Sequence, residues 1–452
     1  MLSKSRYLKG LKCTKALWLS KFKKEEAFYS ERTKQIFQQG NEVGEIAQQY
    51  FPGGKLALVD SFPNEKAVVK TKQLIESGET TIYEATFVAH NTLVALDILH
   101  KIEGKWYAFE VKSTNSKKTE HVRDAAIQYY VIKSAGIKLE DISIMHFDRS
   151  YVRQGDIEPK KLFTYESVIH EIPPYLKEIP KNIELFLEVF KADEPAIQIG
   201  GHCDKPYACE FAQYCHKLPE NQKLIGNENE TELDRTITWV DQQAVEQFYQ
   251  SNYYPVYSLD FETVMEGIPP YNNCRPYQQI PFQYSLHYQE NESSTPLHFD
   301  FFHDGSIDPR EELIKSLINN IREQGTILVY NIRFERERIK ELIRDFPEYK
   351  NELQNILGRL VDLQPVYKNL IKSRATEKSA SLKVVLPTFL PDKSYDDMEI
   401  ANGMEAMATF KNLNNLNNEE KENKITQMLE YCALDTEAVL ELYKLLPTFI
   451  NN

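Results

Sequence analysis

No run of roughly 18 to 20 apolar residues, the length a membrane-spanning helix needs, occurs in this 452-residue chain. The N-terminus, MLSKSRYLKGLKC, also lacks the apolar centre of a secretory signal, so a cytoplasmic location is expected. Cysteine is scarce, six in all, which excludes a disulfide-rich secreted scaffold. In a reducing compartment, clustered thiols are metal ligands or redox groups more often than structural disulfides. Acid is missing from the first 24 residues, where Lys4, Arg6, Lys9, Lys12, Lys15, Lys21, Lys23 and Lys24 stand. Such a segment suits either docking on phosphates or a solvated helix face. There is no internal repeat, and the only low-complexity tract, NLNNLNNEEKENK at Asn412–Lys424, reads as a loop leading into a final helix.

What is present is enough for two ordinary domains: 42% of residues are hydrophobic and 27% charged. The net charge of −13 is unevenly spread, since residues 1–225 carry 32 basic and 30 acidic side chains and residues 226–452 carry 22 and 37. Between the halves, KLPENQKLIGNENETELDR is polar and poor in large apolar groups. We expect domains at 1–220 and 238–452 with a linker at 221–237.

In the first half, TIYEATFVAH, TLVALDILHK and KWYAFEVKS are short runs rich in β-branched and aromatic residues, separated by turns, and predict a meander. HVRDAAIQYYVIKSAG follows with helical spacing and a terminal Gly. In the second half, VYSLDFETV, FQYSLHYQ and LHFDFFHD predict three strands. A helix from Pro309 to Gln324, the strand TILVYN, a helix from Arg333 to Arg344 and a C-terminal helix follow. That order describes a ribonuclease-H-like arrangement.

Asp97 ends one predicted strand, and Glu110 and Lys112 share a face of the next. Two carboxylates can hold Mg²⁺ or Mn²⁺ while a compact ammonium steadies a hydroxide or a phosphate. A charged pair on an exposed strand is the bland reading, but both runs are apolar and a helix bearing Gln128 follows. These residues resemble the PD-(D/E)xK nucleases of the RecB type over about residues 1–217. The resemblance implies a restriction-endonuclease-like α/β domain, with Asp97 and Glu110 as metal ligands and Lys112 and Gln128 completing the site. Gly44, in FQQGNEVGEIAQQYF, stands where that family often has a metal-binding histidine, and the tyrosines follow Gln128 directly.

GHCDKPYACEFAQYCHK spaces Cys203, Cys209 and Cys215 six apart and leaves a fourth ligand open. In the iron-sulfur branch of the RecB-type nucleases a lone N-terminal cysteine joins such a trio, and Cys13 matches it. The resemblance therefore implies a [4Fe-4S] cluster on Cys13, Cys203, Cys209 and Cys215. Zinc on the trio with His202 or His216 is one alternative, although x₅ spacing is loose for a zinc knuckle, and inert thiols are the other. Cys274 and Cys432 stand singly and read as incidental buried thiols.

Asp260 and Glu262 lie two apart on a predicted central strand, and Tyr431 and Asp435 stand at i and i+4 on the last helix. Acids in an apolar strand are costly unless they hold cations or partners, and two metals about 4 Å apart would assist both oxygens of a phosphodiester displacement. This half resembles the DEDDy exonucleases, implying a ribonuclease-H-like 3′–5′ exonuclease. Its second motif is met by Asn331 and Glu335, a glutamate in place of the usual aspartate; Asp362 is a fallback ligand. Arg333, Arg336 and Arg338 could meet substrate or pair with Glu335, Glu337 and Glu341 on their own helix. SASLKVVLPTFLP, in which Leu382, Val385 and Leu386 read as core, resembles a segment of bacterial proteins that join these two nuclease-like domains.

The whole reads as an α/β chain, a restriction-endonuclease-like domain followed by a ribonuclease-H-like one. The expected activity is metal-dependent hydrolysis of DNA or RNA, single-stranded or with a free end. A helicase or another repair or defence protein is an expected partner, and a membrane is not. The competing classes are a non-catalytic nucleic-acid-binding scaffold with a structural iron-sulfur or zinc site, and a redox or zinc protein with structural acids.

Overall fold

The computed structural model describes residues 1–60, 62–205, 207–217 and 234–450. It is a mixed α/β protein that divides into two units: Met1–Glu228 with Gly267–Tyr277, and Asn229–Glu266 with Gln278–Asn452. Most of the expected linker at 221–237 lies outside the described residues, and Ile237 already opens a strand. Among the described residues no helix is long and apolar enough to cross a membrane.

The first unit is built on one seven-stranded sheet. Its elements are β1 (Leu2–Ser3), α1 (Lys4–Lys12), α2 (Thr14–Phe22), α3 (Glu31–Gln48), β2 (Lys55–Leu56), α4 (Glu65–Glu76), β3 (Thr81–Ala89), β4 (Thr92–Ile102), β5 (Lys105–Val111), α5 (Thr119–Ser134), β6 (Leu139–Phe147), β7 (Phe163–Ser167), α6 (Ile179–Val189) and α7 (Ala212–Lys217). The strand order is β2-β3-β4-β5-β6-β7, with β1 added in parallel at the start of β4. The three expected strands form the antiparallel run β3-β4-β5, and β6 then pairs with β5 in parallel. A parallel partner requires a crossover, which α5 supplies. Both faces are covered, so the strands read as nearly continuous apolar runs. Ile82, Leu96, Leu99, Ala108 and Ile144 pack toward α5 and α6, and Tyr83, Ile98, Phe109 and Met145 pack toward Val43 and Ala47 of α3. Glu110 falls on the α5 side because it keeps the parity of Ala108.

The second unit contains β8 (Ile237–Val240), α8 (Gln242–Gln250), β9 (Val256–Met265), β10 (Gln279–Gln289), β11 (Leu297–Phe302), α9 (Arg310–Asn320), β12 (Thr326–Val329), α10 (Arg333–Asp345), α11 (Lys350–Gly358), β13 (Leu360–Asp362), β14 (Ile371–Ser373), α12 (Leu382–Phe389), α13 (Gly403–Asn412) and α14 (Asn418–Leu445). The central sheet has the order β11-β10-β9-β12-β13, antiparallel from β11 to β9 and parallel from β9 to β13. Tyr257, Leu259 and Phe261 of β9 pack with residues of α9, α10 and α11. Asp260 and Glu262 therefore project from the other face, where α14 packs on β9 and β10. Asn412–Lys424 differs from expectation. Asn417 caps α14 through a reciprocal pair with Glu420, so the tract from Asn418 is already helix.

Candidate active sites

In the first unit Asp97 sits inside β4, and its Oδ2 accepts the Val111 N–H at 2.6 Å. Glu110 ends one residue before the close of β5, and Lys112 Nζ returns to its Oε1 at 2.8 Å. Asp124 and Gln128, one turn apart on α5, complete the group. Lys112 donates to Asp124 Oδ2 at 2.5 Å, and Gln128 Nε2 donates to Asp124 Oδ1 at 3.1 Å. Asp97, Glu110, Lys112 and Gln128 thus meet at one place, with three residues that the sequence reading did not single out. These are Asp124, Glu84 of β3 and Lys4, whose ammonium contacts Glu110 Oε1 at 2.6 Å. Asp124 was legible in hindsight, since i, i+4 from Gln128 puts it on the same helix face.

The ammonium groups decide the electrostatics. Burial alone would raise Glu110, but Lys112 and Lys4 overcome it and hold the carboxyl below its ordinary range. Asp97 is pushed well up by burial and by Glu110, and Glu84 rises to about 7 for the same reasons. Gly44 lies on α3, and a side chain built there would meet nothing within 4 Å.

Most cations of the basic N-terminal segment have partners within the first unit. Lys4 serves the acidic site, Lys9 pairs with Glu210, Lys12 donates to the Tyr207 carbonyl, and Lys15 and Lys23 both reach Glu194. Arg6 donates to the Ser20 carbonyl at 3.2 Å, and Lys21 lies over the rings of Phe22 and Phe190. Lys9 and Lys12 tie α1, and Lys23 through the Tyr214 hydroxyl ties the end of α2, to the segment that carries the cysteine trio. Cys13, Cys203, Cys209 and Cys215 are unbridged, half-buried and line one cavity with Lys15 and His202. Burial raises Cys13, and burial with the neighbouring thiols raises Cys215 to about 11. No three of these sulfurs, with or without a histidine nitrogen, lie within 4.8 Å of one another. A single tetrahedral zinc with bonds of 2.3 Å would need its sulfurs about 3.8 Å apart. The four thiols lining one cavity offer the donor type that a four-thiolate group uses.

In the second unit no cation among the described residues forms an ion pair with the candidate acids, and Lys383 acts on them only at longer range. Asp260 and Glu262 of β9, Glu335 in the first turn of α10, and Asp435 of α14 line one cleft of about 420 Å³ with Tyr431, Phe334 and Met404. Burial, then Asp435, raises Asp260 to about 7; burial, then Asp260, raises Glu335 to about 9; burial raises Asp435 to about 6. Glu262 is also carried well up, by burial, Asp260 and Asp435. The field of Lys383, on α12, opposes the shift at Glu262 and Asp435.

Tyr431 bonds Asp435 across one helical turn, and Tyr395 donates to Asp435 Oδ1 at 2.5 Å. Neither Tyr395 nor Lys383 was marked by the sequence. Both come from the stretch between the motifs, where no periodicity points at the site.

Two expectations change here. Cys432 is not incidental: its sulfur lies 3.7 Å from Asp260 Oδ2, and Asp260, Glu262 and Cys432 form the one group of possible metal-ligand atoms within 4.8 Å among the described residues. Asp362 is already engaged, since it accepts the N–H groups of Asn331, Ile332 and Gln364 at 3.0, 3.1 and 3.0 Å. That arrangement anchors the left-handed turn at Asn331, φ 71°, which launches α10 and aims Glu335. Arg338 pairs with Glu341 on its own helix at 2.9 Å.

Residues 257–381 match a domain of unknown function, DUF2779. The match takes in Asp260, Glu262, Glu335 and Asp362 and stops before Tyr431 and Asp435. An uncharacterized protein of Mycoplasma pneumoniae is 25% identical over 216 residues, 43% of this chain and 32% of that protein. One of Mycoplasma genitalium is 28% identical over 207 residues, 41% and 31%. A third, of Ureaplasma parvum, is 25% identical over 235 residues, 44% and 32%. The chain thus spans about a third of the length of these curated relatives.

Proposed function

We propose that this chain is a metal-dependent nuclease that hydrolyses phosphodiester bonds of DNA or RNA. The second unit is read as a ribonuclease-H-like 3′–5′ exonuclease of the DEDDy type, and the first as a restriction-endonuclease-like, RecB-type domain held by a [4Fe-4S] cluster on Cys13, Cys203, Cys209 and Cys215. The observation that carries the reading is the gathering of Asp260, Glu262, Glu335 and Asp435 in one cleft, every one of them raised above its ordinary range. Glu262 and Glu335 are buried and Asp260 and Asp435 half-buried, and carboxylates so enclosed repel one another and favour cations. The sheet order with three antiparallel and two parallel strands, followed by a helix bearing the last acid, also supports the fold assignment.

In this reading Asp260, Glu262, Glu335 and Asp435 hold Mg²⁺ or Mn²⁺. The metal, when bound, supplies charge that neutralises the phosphate and acidifies a water. Tyr431 and Tyr395, kept protonated by burial, hold Asp435 in place through their hydroxyls. The sides of Phe334, Met404 and Met407 offer apolar walls against which a base can lie. In the first unit Asp97 and Glu110 would hold the metal, with Lys112 beside them.

The test is digestion of 5′-labelled single-stranded DNA and RNA with Mn²⁺ by anaerobically purified protein, beside Asp97→Asn and Asp260→Asn. A ladder that shortens from the 3′ end and is lost with Asp260→Asn is the expected result. No cleavage of either substrate by folded protein would remove the nuclease reading and favour a nucleic-acid-binding scaffold.

A further inference from the structure

The acidic site of the first unit contains a cation that does not belong to its own strands. Glu110 and Asp124, 2% and 4% exposed, share two ammonium groups. Lys112 comes from the end of β5, next to Glu110. Lys4 comes from the first position of α1, 106 residues away in sequence, and touches Glu110 Oε1 at 2.6 Å and Asp124 Oδ1 at 3.4 Å. Its side chain is partly exposed, 23%, while its ammonium is held against the two carboxylates.

Two buried oxygens at the same place have no hydrogen-bond partner, Glu110 Oε2 and Gln128 Oε1. An ammonium carries only three donors, whereas a hard divalent cation takes six or more oxygens. The pocket therefore offers more oxygen than Lys4 and Lys112 use.

We propose that Lys4 is a displaceable plug: its ammonium, in contact with Glu110 and Asp124, takes the place of the divalent cation that Asp97 and Glu110 would hold, and Lys4 withdraws when that cation binds. This rests on the reading of Asp97 and Glu110 as a cation site. The lysine is suited to the role because it is a compact point charge on a flexible stem, and because α1 is fixed without it. Ser3 caps the helix through the Arg6 N–H, Tyr7 packs edge-on against Phe186, and Lys9 is paired with Glu210.

The experiment uses the full chain carrying Asp260→Asn, so that the acidic cleft of the second unit is weakened, and titrates it with Mn²⁺ alone while free Mn²⁺ is read by electron paramagnetic resonance. Glu110→Gln identifies the binding that belongs to this site. Adding Lys4→Met is expected to tighten that binding about tenfold or more, because a unit charge at contact range is removed. Equal or weaker binding, in a variant whose circular dichroism matches the parent, overturns the plug while leaving the cation site intact. Binding that Glu110→Gln does not alter removes the cation-site reading and the plug with it.

Where Lys4→Met fails to fold, the Lys4-bearing chain gives the answer through a brief acetic anhydride pulse and mass spectrometry. Mn²⁺ is expected to increase acetylation of Lys4 several-fold relative to Lys66, an exposed lysine elsewhere in the unit. Unchanged or reduced acetylation of Lys4 at saturating Mn²⁺ overturns the proposal.

Discussion

Glu335→Gln is expected to stabilise the metal-free protein and to remove part of its sensitivity to alkali. Glu335 is 2% exposed, and burial together with Asp260 moves it from an ordinary value of 4.5 to about 9. An unfolded chain gives up this proton near pH 4.5, whereas the folded chain keeps it to about 9. The folded state therefore suffers no penalty from this group below 4.5, loses stability as pH rises through the window, and loses no more above it. Within the window the slope is about 1.4 kcal/mol per pH unit, or about 4 kcal/mol between pH 5 and pH 8. Glutamine has no proton to lose and carries no such term. Urea unfolding in chelator at pH 5, 6.5 and 8, with pulse proteolysis read on peptides of β9 and α10, measures the difference. The parent should lose about 4 kcal/mol more than the variant across that range. Equal pH slopes in the two proteins would refute the reasoning and mean that Glu335 is ionised in the folded state.

Three further outcomes are expected. Under the iron-sulfur reading, serine at Cys13, or at any one of Cys203, Cys209 and Cys215, should lower iron content and bleach near-ultraviolet to visible absorbance in anaerobic preparations; unchanged iron would remove that reading of these thiols. Tyr395→Phe removes a donor that lowers Asp435, so under the nuclease reading the acid limb of the pH-rate profile should move to higher pH, and an unmoved limb would detach Tyr395 from the site. Asp362→Ala deprives three backbone N–H groups of a charged acceptor and should cost about 1.5 to 3 kcal/mol or more in urea unfolding, whereas a neutral result would show that the turn into α10 is held by other contacts.

The strands bearing Asp97, Glu110, Asp260 and Glu262 were legible because period-2 alternation and β-branched content act over a few residues. The pairs Glu110 with Lys112 and Tyr431 with Asp435 were legible for the same reason, being neighbours on a single element. What the sequence hid is tertiary. Lys4 looked like one charge of a basic tail, and only the packing of α1 beside α5 brings it to Glu110. Cys432 looked incidental because its significance depends on how closely α14 lies against β9. Tyr395 sits between Pro391 and Met398, outside any helix or strand, where spacing carries no directional information. Asp362 shows the opposite error: a plausible ligand by position is already consumed by the backbone of a turn.

The segment Gly267–Tyr277 has a practical consequence for anyone who would separate the halves. The first unit includes it, with the Tyr277 hydroxyl bonded to the Ser113 carbonyl at 2.5 Å and the Arg153 guanidinium held by the carbonyls of Pro269 and Pro270 at 2.9 and 2.7 Å. A gene cut in the polar stretch after Lys217 would leave those partners on the discarded piece. Ser113 directly follows Lys112, so the wound would open beside the acidic site, and an inert N-terminal fragment would report on the scissors rather than on the intact chain.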